Sequence, residues 1–461
     1  MANKNQEMEI ENVQDEEMDD EVSSADEEDE SKKADPQSVY LPSQQLEEGE
    51  ELVADESAYI MLHTASTGSP CLSFDVIPDE LGDDRENYPL SCYIVAGTQA
   101  PRTHLNNLIV MKMTNLYKTQ KEEKDDDDDS ELEDSDDEDD PKSKTPHMSC
   151  ALIKHQGCVN RVRAKKIGNS VFAASWSELG KVNIWNLTQQ MQAVEDSAIL
   201  SQYEKQVQQT AIKPVFTFSG HQQEGYAVDW SPIAHGGLAT GDCRRDIHVW
   251  SPLADGSWKV DQRPLVGHTN SVEDLQWSPT EKSVLASCSV DKSIRIWDVR
   301  AAPQKACMLT CENAHEQDIN VISWNRTEPF IASGGDDGFL HIWDLRQFQS
   351  QKPVATFKHH TNHITTVEWN PKDPTVLASG GDDNQIALWD LAVEKDQDEN
   401  MVENDSGVLD NEDDLNKLPP QLLFIHQGQQ EIKELHWHPQ LPGVILSTAL
   451  SGFNVFRTIS V

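Results

Sequence analysis

The chain lacks the sequence features of a secreted, membrane-spanning or disulfide-bonded protein. Its 461 residues include eight cysteines with no CxxC pair and no dense spacing, so reduced thiols in the cytosol or nucleus are expected. No apolar run reaches the roughly 18 residues that a membrane span requires, and no apolar core near the amino terminus resembles a signal peptide. These absences predict a protein without membrane contacts.

Basic residues are also scarce, because 37 lysines and arginines stand against 81 aspartates and glutamates, for a net charge of −44. Residues 1–56 carry 21 acidic and 3 basic side chains, residues 121–140 carry 15 and 2, and residues 394–417 carry 10 and 2, so the rest of the chain is close to neutral. Acidic segments with few aromatic residues are typical of disorder, and we predict a disordered acidic tail over residues 1–38. The charge argues against direct nucleic-acid binding and favours a basic protein partner.

What the sequence does contain is a repeated strand pattern. Between Val266 and Arg300, apolar and polar residues alternate in three short stretches separated by turns at Ser278-Pro279 and Asp291-Lys292. Alternation with period two predicts half-buried antiparallel β-strands. One such unit cannot bury its own faces, so copies of it are expected elsewhere in the chain.

The copies are marked by tryptophan and histidine at regular intervals. The tryptophan of the last strand recurs at steps of 47, 46 and 46 residues, at Trp250, Trp297, Trp343 and Trp389. A tryptophan assigned to the middle strand follows a histidine by nine residues in the pairs His221 and Trp230, His268 and Trp277, His315 and Trp324, and His360 and Trp369. A repeat of this length with Gly-His at its start and Trp-Asp at its end is the WD-repeat signature, with one four-stranded blade per repeat.

These repeats predict an all-β fold, a seven-bladed WD-repeat β-propeller over residues 70–461 with disordered acidic extensions. Residues 70–117 form a divergent first blade with alternating strands. Residues 155–187 form a degenerate repeat that has Ala164 where the tryptophan is expected. The last repeat runs from Phe424 to Thr458. Seven blades arranged radially leave no long free sheet edge, because the first and last blades meet.

Several segments interrupt or precede this propeller. Acidic loops over residues 118–147 and 391–418 are expected to leave the sheets, and the Gln-rich stretch 188–213 is expected to be a loop or short helix. Residues 39–69 form an N-terminal segment in which apolar residues among glutamates predict a short helix, although Gly49 interrupts it.

A histidine, a serine, an aspartate and a tryptophan recur together in three repeats. The sets are His268, Ser287, Asp291 and Trp297; His315, Ser333, Asp337 and Trp343; and His360, Ser379, Asp383 and Trp389. A catalytic triad would occur once, whereas a fold needs the same bracing in every blade, so we assign the sets to buried hydrogen-bond networks. Arg244 stands at the aspartate position of an earlier repeat, whose network is therefore expected to be incomplete. We predict no catalytic residue, no enzyme activity and no cofactor.

Two further motifs have structural explanations as well. Cys307, Cys311 and His315 have a spacing seen in zinc sites, but the histidine belongs to a blade network and no fourth ligand is evident, so no metal is predicted. Arg300 and Arg346 end two Trp-Asp-x-Arg motifs. These are common in such repeats, and they also resemble the motif by which some propellers dock onto the adaptor of a cullin ubiquitin ligase.

Four serines in the acidic segments are candidate phosphorylation sites. Ser23, Ser24, Ser130 and Ser135 each have an acidic residue three positions further on, which acidophilic kinases of the casein type prefer. A phosphate on each would add about −1.5 to −2 charges to segments that are already negative.

The segment LPPQLLFIHQG, Leu418 to Gly428, resembles the loop and strand that lead into the last blade of the histone-binding WD-repeat chaperones of chromatin assembly. The resemblance implies an acidic loop and an N-terminal helix that together grip a basic histone helix. The candidate client-binding residues that it implies are Leu46, Leu52, Tyr59, Ile60, Leu62, Asp396, Asp398, Glu412, Asp413, Asp414, Pro419 and Pro420.

Three longer strings resemble the glutamate-rich WD-repeat proteins of eukaryotic ribosome biogenesis. They are GEELVADESAYIMLHTASTGSPCLSFDVI (Gly49–Ile77), YIVAGTQA (Tyr93–Ala100) and HWHPQLPGVILSTALSGFNVFRTISV at the carboxyl end. The resemblance implies a nuclear and nucleolar chaperone that binds a basic large-subunit ribosomal protein and acts on pre-ribosomal particles. Core histones as clients, and docking to a cullin ligase adaptor, stay open as alternatives.

Overall fold

The computed structural model describes residues 55–119, 145–393 and 418–461, and the strands in these ranges form seven four-stranded antiparallel sheets. The first strand of each sheet packs against the first strand of the next, and the last sheet packs against the first. The predicted fold class, a seven-bladed β-propeller, is confirmed.

The chain enters the ring through β1 (Tyr59–Ala65) and then builds six blades in order. Their strands are β2 (Cys71–Ile77), β3 (Leu90–Thr98), β4 (Asn107–Leu116) and β5 (His147–Lys154); β6 (Val159–Ile167), β7 (Ser170–Ser177), β8 (Lys181–Asn186) and β9 (Phe216–Phe218); β10 (Ala227–Trp230), β11 (Leu238–Gly241), β12 (Ile247–Pro252) and β13 (Trp258–Val260); β14 (Val272–Trp277), β15 (Val284–Ser289), β16 (Ile294–Asp298) and β17 (Cys307–Cys311); β18 (Ile319–Trp324), β19 (Phe330–Gly335), β20 (Phe339–Asp344) and β21 (Ala355–Lys358); and β22 (Ile364–Trp369), β23 (Val376–Gly381), β24 (Ile386–Asp390) and β25 (Leu422–His426).

Blade 7 closes the ring with strands from both ends of the chain. It contains β26 (Ile432–Trp437), β27 (Val444–Ala449) and β28 (Gly452–Thr458), and its outer strand is β1, which pairs antiparallel with β28. The prediction that Tyr59, Ile60 and Leu62 belong to a short helix is therefore wrong. The helical turn is limited to Glu56–Ala58, because the alternating apolar residues that follow it fit the open edge of blade 7, and the propeller begins at Tyr59 rather than at residue 70.

The Gln-rich insertion between β8 and β9 forms two helices, α1 (Thr188–Ala193) and α2 (Ser197–Gln209). Asp196 caps α2, because its Oδ1 accepts from the backbone N–H groups of residues 198 and 199. The hydroxyl of Tyr203 donates to the carbonyl of Leu152 at 2.7 Å, which fixes the helices against β5 of blade 1. None of the helices in the described ranges is long and apolar enough to cross a membrane.

The tryptophans assigned to a middle strand lie instead at the end of the innermost strand of each blade, where they join neighbouring blades. The indole N–H of Trp277 donates to the carbonyl of Asp229 in the preceding blade, and Trp437 does the same to Glu368. The side-chain carboxylates of the same two acidic residues accept from the backbone N–H groups of those tryptophans. The repeat therefore marks contacts between blades as well as contacts within them.

Candidate functional site

The outer strands of blades 6 and 7 meet where β25 lies beside β1. The Tyr59 hydroxyl lies 2.8 Å from Nδ1 of His426, although 367 residues separate the two in sequence, and its ring packs edge-on against Phe424. Partly exposed apolar residues surround this contact: Ala58, Leu62, Leu423, Phe424 and Val461. We call these five residues the closure surface. The structure therefore brings together the two chain segments that the sequence predicted to form one groove.

The predicted client-binding residues divide between this surface and the part of the chain outside the described ranges. Tyr59 is buried beneath the surface, Ile60 and Leu62 are half-buried on β1, and Pro419 and Pro420 directly precede β25. Leu46, Leu52, Asp396, Asp398, Glu412, Asp413 and Asp414 lie outside the described residues, as do Ser23, Ser24, Ser130 and Ser135.

The acidic segment 394–417 leaves and re-enters blade 6 at a pinned loop. The side-chain amide of Gln421 donates to the carbonyl of Val393 at 2.9 Å, and the backbone N–H of Asp390 donates to the carbonyl of Gln421 at 2.9 Å. These bonds join the two ends of the segment at the connection between β24 and β25, so the ends meet beside the closure surface.

The segment 120–144 starts at a similar anchor on the other side of β1. The backbone N–H of Thr119 donates to the carbonyl of Ile60 at 3.0 Å, and the Thr119 hydroxyl oxygen accepts from the backbone N–H of Leu62 at 2.7 Å. His63 Nε2 donates to the carbonyl of Tyr117 at 2.9 Å. Residues 117–119 therefore cover part of the free edge of β1.

The attachment points of all three acidic segments lie at one face of the ring. In each antiparallel blade, the connection between the third and fourth strands always emerges at the same face. Segments 394–417 and 120–144 occupy this connection in blades 6 and 1, and the residues that precede Asp55 enter the fourth strand of blade 7 from the same face. Three consecutive blades therefore carry the three acidic segments.

The recurring polar residues form a hydrogen-bond network within each regular blade. In blade 5, His315 Nδ1 donates to Asp337 at 3.0 Å, its Nε2 lies 2.7 Å from the Ser333 hydroxyl, and the indole N–H of Trp343 donates to that hydroxyl oxygen at 2.8 Å. Burial opposes ionisation of Asp337, but the bonds from His315 and two backbone N–H groups outweigh it and lower the pKa to about 2.

The same geometry recurs in the neighbouring blades. The corresponding contacts join His268, Ser287, Asp291 and Trp297 in blade 4, and His360, Ser379, Asp383 and Trp389 in blade 6. Each of the three blades thus uses one buried histidine to connect its acidic turn to its central strands.

The prediction of an incomplete network around Arg244 is wrong. Asp242 supplies the carboxylate two positions earlier: it accepts from His221 Nδ1 at 2.8 Å, while Thr240 takes the serine position and accepts from Trp250 at 3.0 Å. The turn after β11 is longer than in blade 4 and bends through Arg245 at φ 98°, so the aspartate moves to the first turn position. In blade 2, by contrast, His155 Nδ1 meets the carbonyl of Gly157 instead of a carboxylate.

A buried ion cluster at the inner strands was missed from the sequence. Glu434 on β26 accepts from the Ser73 hydroxyl at 2.7 Å and the Phe74 N–H at 2.8 Å, and its other oxygen contacts Arg161 at 2.7 Å and Arg163 at 2.6 Å. This one carboxylate therefore links blade 7 to blades 1 and 2. The available signal was the alternation of basic residues at positions 161, 163 and 165 along a single strand.

The charges in this cluster sustain one another. Burial alone would raise the pKa of Glu434, but the guanidinium groups of Arg163 and Arg161 hold it well below its usual range. Burial would lower the pKa of His436, whose Nδ1 lies 3.1 Å from Glu368, yet Glu368 and Glu434 raise it to about 10. The cluster contains paired, ionised side chains, and it has no opening that would make it a catalytic site.

The residues proposed for adaptor docking lie at the same face as the acidic attachment points, on blades 4 and 5. Arg300 and Arg346 follow the third strands and fold back onto Asp298 and Asp344, with guanidinium-to-carboxylate distances of 2.5 and 2.8 Å. Their side chains are 73% and 64% exposed, so both can be reached from solvent.

The spacing that suggested zinc does not gather its residues into one site. Both ring nitrogens of His315 contact Asp337 and Ser333, and Cys307 lies within hydrogen-bond distance of Thr310. His341 stands beside His315 and Asp337, and within the described ranges these three form a group with metal-ligand spacing. The blade network already uses two of the three.

Comparisons with known proteins agree with the architecture. A family model for "WD domain, G-beta repeat" matches residues 259–298, 305–344 and 351–390. A second family model, for the "Histone-binding protein RBBP4" and its counterpart in the CAF1 complex, matches residues 49–117, which include β1 to β4. Fold and repeats together define a WD-repeat β-propeller protein.

Three similar proteins resolve the class further. "Protein HEAT STRESS TOLERANT DWD 1" of Arabidopsis thaliana is 42% identical over 460 residues, which cover 92% of each chain. "Glutamate-rich WD repeat-containing protein 1" of Dictyostelium discoideum is 46% identical over 417 residues, covering 90% of this chain and 83% of the relative. "Ribosome assembly protein rrb1" of Schizosaccharomyces pombe is 42% identical over 444 residues, covering 94% and 87%. The chain belongs to this family of glutamate-rich WD-repeat proteins, as its sequence strings predicted.

Proposed function

We propose that the protein is a ribosome-assembly factor that chaperones a basic large-subunit ribosomal protein in the nucleolus until that protein joins a pre-ribosomal particle. The observation that carries the proposal is the attachment of three acidic segments at one face of three consecutive blades. The name of the Schizosaccharomyces pombe relative, a ribosome assembly protein, supports the same role.

The charge distribution supplies the physical reason for such a role. A free ribosomal protein is strongly cationic and binds nucleic acid without specificity, through its lysines and arginines. Acidic segments around one face neutralise these cations and compete with RNA, and their long-range field speeds the encounter. A near-neutral propeller beneath them provides a fixed platform for the more specific contacts.

The closure surface is the candidate for those specific contacts. Its apolar residues Leu62, Leu423 and Phe424 lie next to the pinned ends of segment 394–417, which carries 10 acidic residues. An apolar wall beside carboxylates is complementary to a basic amphipathic helix, for which burial contributes affinity and charge contributes steering. Asp396, Asp398, Glu412, Asp413 and Asp414 are the proposed acidic contacts, with Leu46 and Leu52 as additional apolar ones.

The test is affinity purification of the full-length chain from nuclear extract at moderate salt, with identification of the stoichiometric partner. Deletion of residues 394–414 is expected to weaken client binding markedly while the thermal melt stays unchanged. Deletion of residues 1–38 is the matched control, and it should reduce mainly the salt-sensitive part of the affinity. Full affinity after loss of 394–414 would exclude the closure surface as the client site.

A histone client is the second candidate function. It is favoured by the match of residues 49–117 to the family model of histone-binding proteins. The same purification separates the two, because a ribosomal protein and core histones differ in mass and sequence. Core histones as the stoichiometric partner would replace the first proposal.

Phosphorylation of the acidic segments is a proposed adjustment of client affinity. Phosphate on Ser23, Ser24, Ser130 and Ser135 would strengthen the negative field without a change in the propeller. Equal client affinity of variants with four aspartates and with four alanines at these positions would contradict this.

A further inference from the structure

A second apolar groove lies between blades 7 and 1, on the side of β1 that faces away from the closure surface. Leu62 packs toward blade 6, whereas Ala65 packs toward blade 1. The groove has walls of His63 and Ala65 from β1 and Met148 from β5, and it contains about 250 Å³ of open space. We call it the root groove. Its floor is formed by Met113 and Leu116 of β4, which are 3% and 2% exposed.

The root groove lies between the two ends of the acidic segment 120–144. Tyr117 and Thr119, at one end, are hydrogen-bonded to β1, and Pro146, just after the other end, lines the groove itself. Residues 120–144 contain 15 acidic and 4 basic side chains. An exposed apolar concavity is therefore bordered on both sides by the start of a strongly acidic stretch.

The wall residues keep the groove itself free of positive charge. His63 is half-buried, and burial lowers its pKa, while its Nε2–H is engaged by the Tyr117 carbonyl. A neutral imidazole offers no repulsion to a cationic partner and leaves an apolar ring face toward the cavity.

We propose that the root groove binds an apolar side chain of the basic partner, held between lysines or arginines that pair with segment 120–144. This inference rests on the proposed function and adds a second apolar contact for the same partner. Charge decides between occupants. A second copy of a chain with net charge −44 would be repelled, and the single apolar residue of 121–140 is Leu132, which is surrounded by carboxylates.

The experiment uses the full-length chain and two labelled peptides of equal length and equal positive charge, measured by fluorescence anisotropy at moderate salt. One peptide contains only lysine and glycine, and the other has one central glycine replaced by phenylalanine. The phenylalanine peptide is expected to bind about tenfold more tightly, because the ring is removed from water. The lysine-glycine peptide reports the charge-driven binding of the proposed function by itself.

Two variants locate the difference between the peptides. Met148→Arg, in the groove wall, should bring the affinity of the phenylalanine peptide down to that of the lysine-glycine peptide. Met308→Arg is the matched control, since Met308 is 51% exposed on the outer strand of blade 4, and it should keep the tenfold gap. Thr64→Arg, at the exposed rim, repeats the test without a change in core packing.

The outcomes are distinguishable. Equal affinity of the two peptides for the wild-type chain, or equal loss in Met148→Arg and Met308→Arg, would overturn the root groove while the proposed function stands on the lysine-glycine peptide. A gain in phenylalanine-peptide affinity in Leu132→Ser would show that the chain's own segment fills the groove, which also overturns the inference. Binding of neither peptide would remove the proposed function itself.

Discussion

Blades 4, 5 and 6 differ in chemistry from the joint that closes the ring, although every blade has four antiparallel strands. In the regular blades the histidine contacts residues only 18 to 23 positions away. At the joint, Tyr59 contacts His426 across 367 residues, and Glu434 contacts Ser73 across 361. One part of the molecule is stabilised by repeated local contacts, and the other by contacts that each occur once.

The difference teaches where a propeller encodes its closure and its function. Repeated networks define each blade but cannot specify which blades must meet, because they are the same in every copy. Residues that occur once, such as Glu434 and Tyr59, specify the junction between the chain ends. The three acidic segments attach to blades 6, 7 and 1, which surround this junction. Changes at the joint should therefore affect the whole ring, and changes in a regular blade should remain local.

The largest expected effect is at Glu434. Glu434→Ala leaves Arg161 and Arg163 without their buried partner and frees the Phe74 N–H, which should lower the free energy of unfolding by about 3–5 kcal/mol. Chemical denaturation followed by tryptophan fluorescence measures the loss. Glu431→Ala, at an exposed carboxylate on the same approach to β26, is the control and should change stability by less than about 0.5 kcal/mol. Equal effects at the two positions would contradict the role of the cluster in closure.

A regular blade should lose less. Asp337→Ala removes the acceptor of His315 and of two backbone N–H groups, and is expected to cost about 1–3 kcal/mol. Asp242→Ala tests the corrected assignment in blade 3 and should cost a similar amount, whereas Arg244→Ala should have little effect. A thermal melt unchanged in both aspartate variants would count against the bracing role, and client binding should survive each change.

The joint also predicts a pH dependence that the regular blades lack. The pKa of His436 is raised from 6.5 to about 10 by Glu368 and Glu434, with Asp75 and Arg163 in the same cluster. Its charged form therefore stabilises the fold fully below pH 6.5, and this contribution is lost as the pH rises toward 10. Unfolding free energies measured across this interval should fall in the wild type and fall less steeply in His436→Gln. The same slope in both would assign the pH dependence elsewhere.

The same contrast determines how much could be predicted from the sequence. The fold class followed from His, Trp and Asp at fixed steps, because local networks impose a spacing on the chain. The three regular sets occupy the positions expected of them, down to the serine that lies between His315 and Trp343. Local physics leaves a periodic record in the sequence, and periodic records can be detected without a structure.

The joint left no such record. The strand β1 alternates apolar residues as any edge strand does, and nothing in its sequence names residues 453–458 as its partner, so it was assigned to a helix. Glu434, Arg161 and Arg163 look like surface charges until the ring closes around them. Asp242 was missed because a longer turn moved it by two positions relative to the other repeats. Each failure concerns a contact or a turn without a copy elsewhere.

A smaller effect is expected when the joint keeps its packing and loses only one polar contact. Tyr59→Phe removes the hydroxyl 2.8 Å from His426 Nδ1 but retains the ring against Phe424, so it should cost about 0.5–1.5 kcal/mol. Tyr59→Ala, which also empties the ring site, should cost about 3–5 kcal/mol. Differential scanning calorimetry of the pair separates polar from apolar closure. A greater loss in Tyr59→Phe than in Tyr59→Ala would reverse this assignment.

The smallest expected effect on stability is at the two arginines that end blades 4 and 5. Arg300 and Arg346 pair with Asp298 and Asp344 at exposed positions, so replacing both by alanine should leave the melting temperature unchanged. This makes the double variant a clean test of the alternative function, because any lost interaction must come from a lost contact. A cullin ligase adaptor that docks on these blades should be recovered with the wild type and lost with the variant, while a basic client held near blades 6, 7 and 1 should remain bound. Recovery of no adaptor with the wild-type chain would remove the ligase alternative, since both guanidinium groups are open to solvent and no fold defect could hide them.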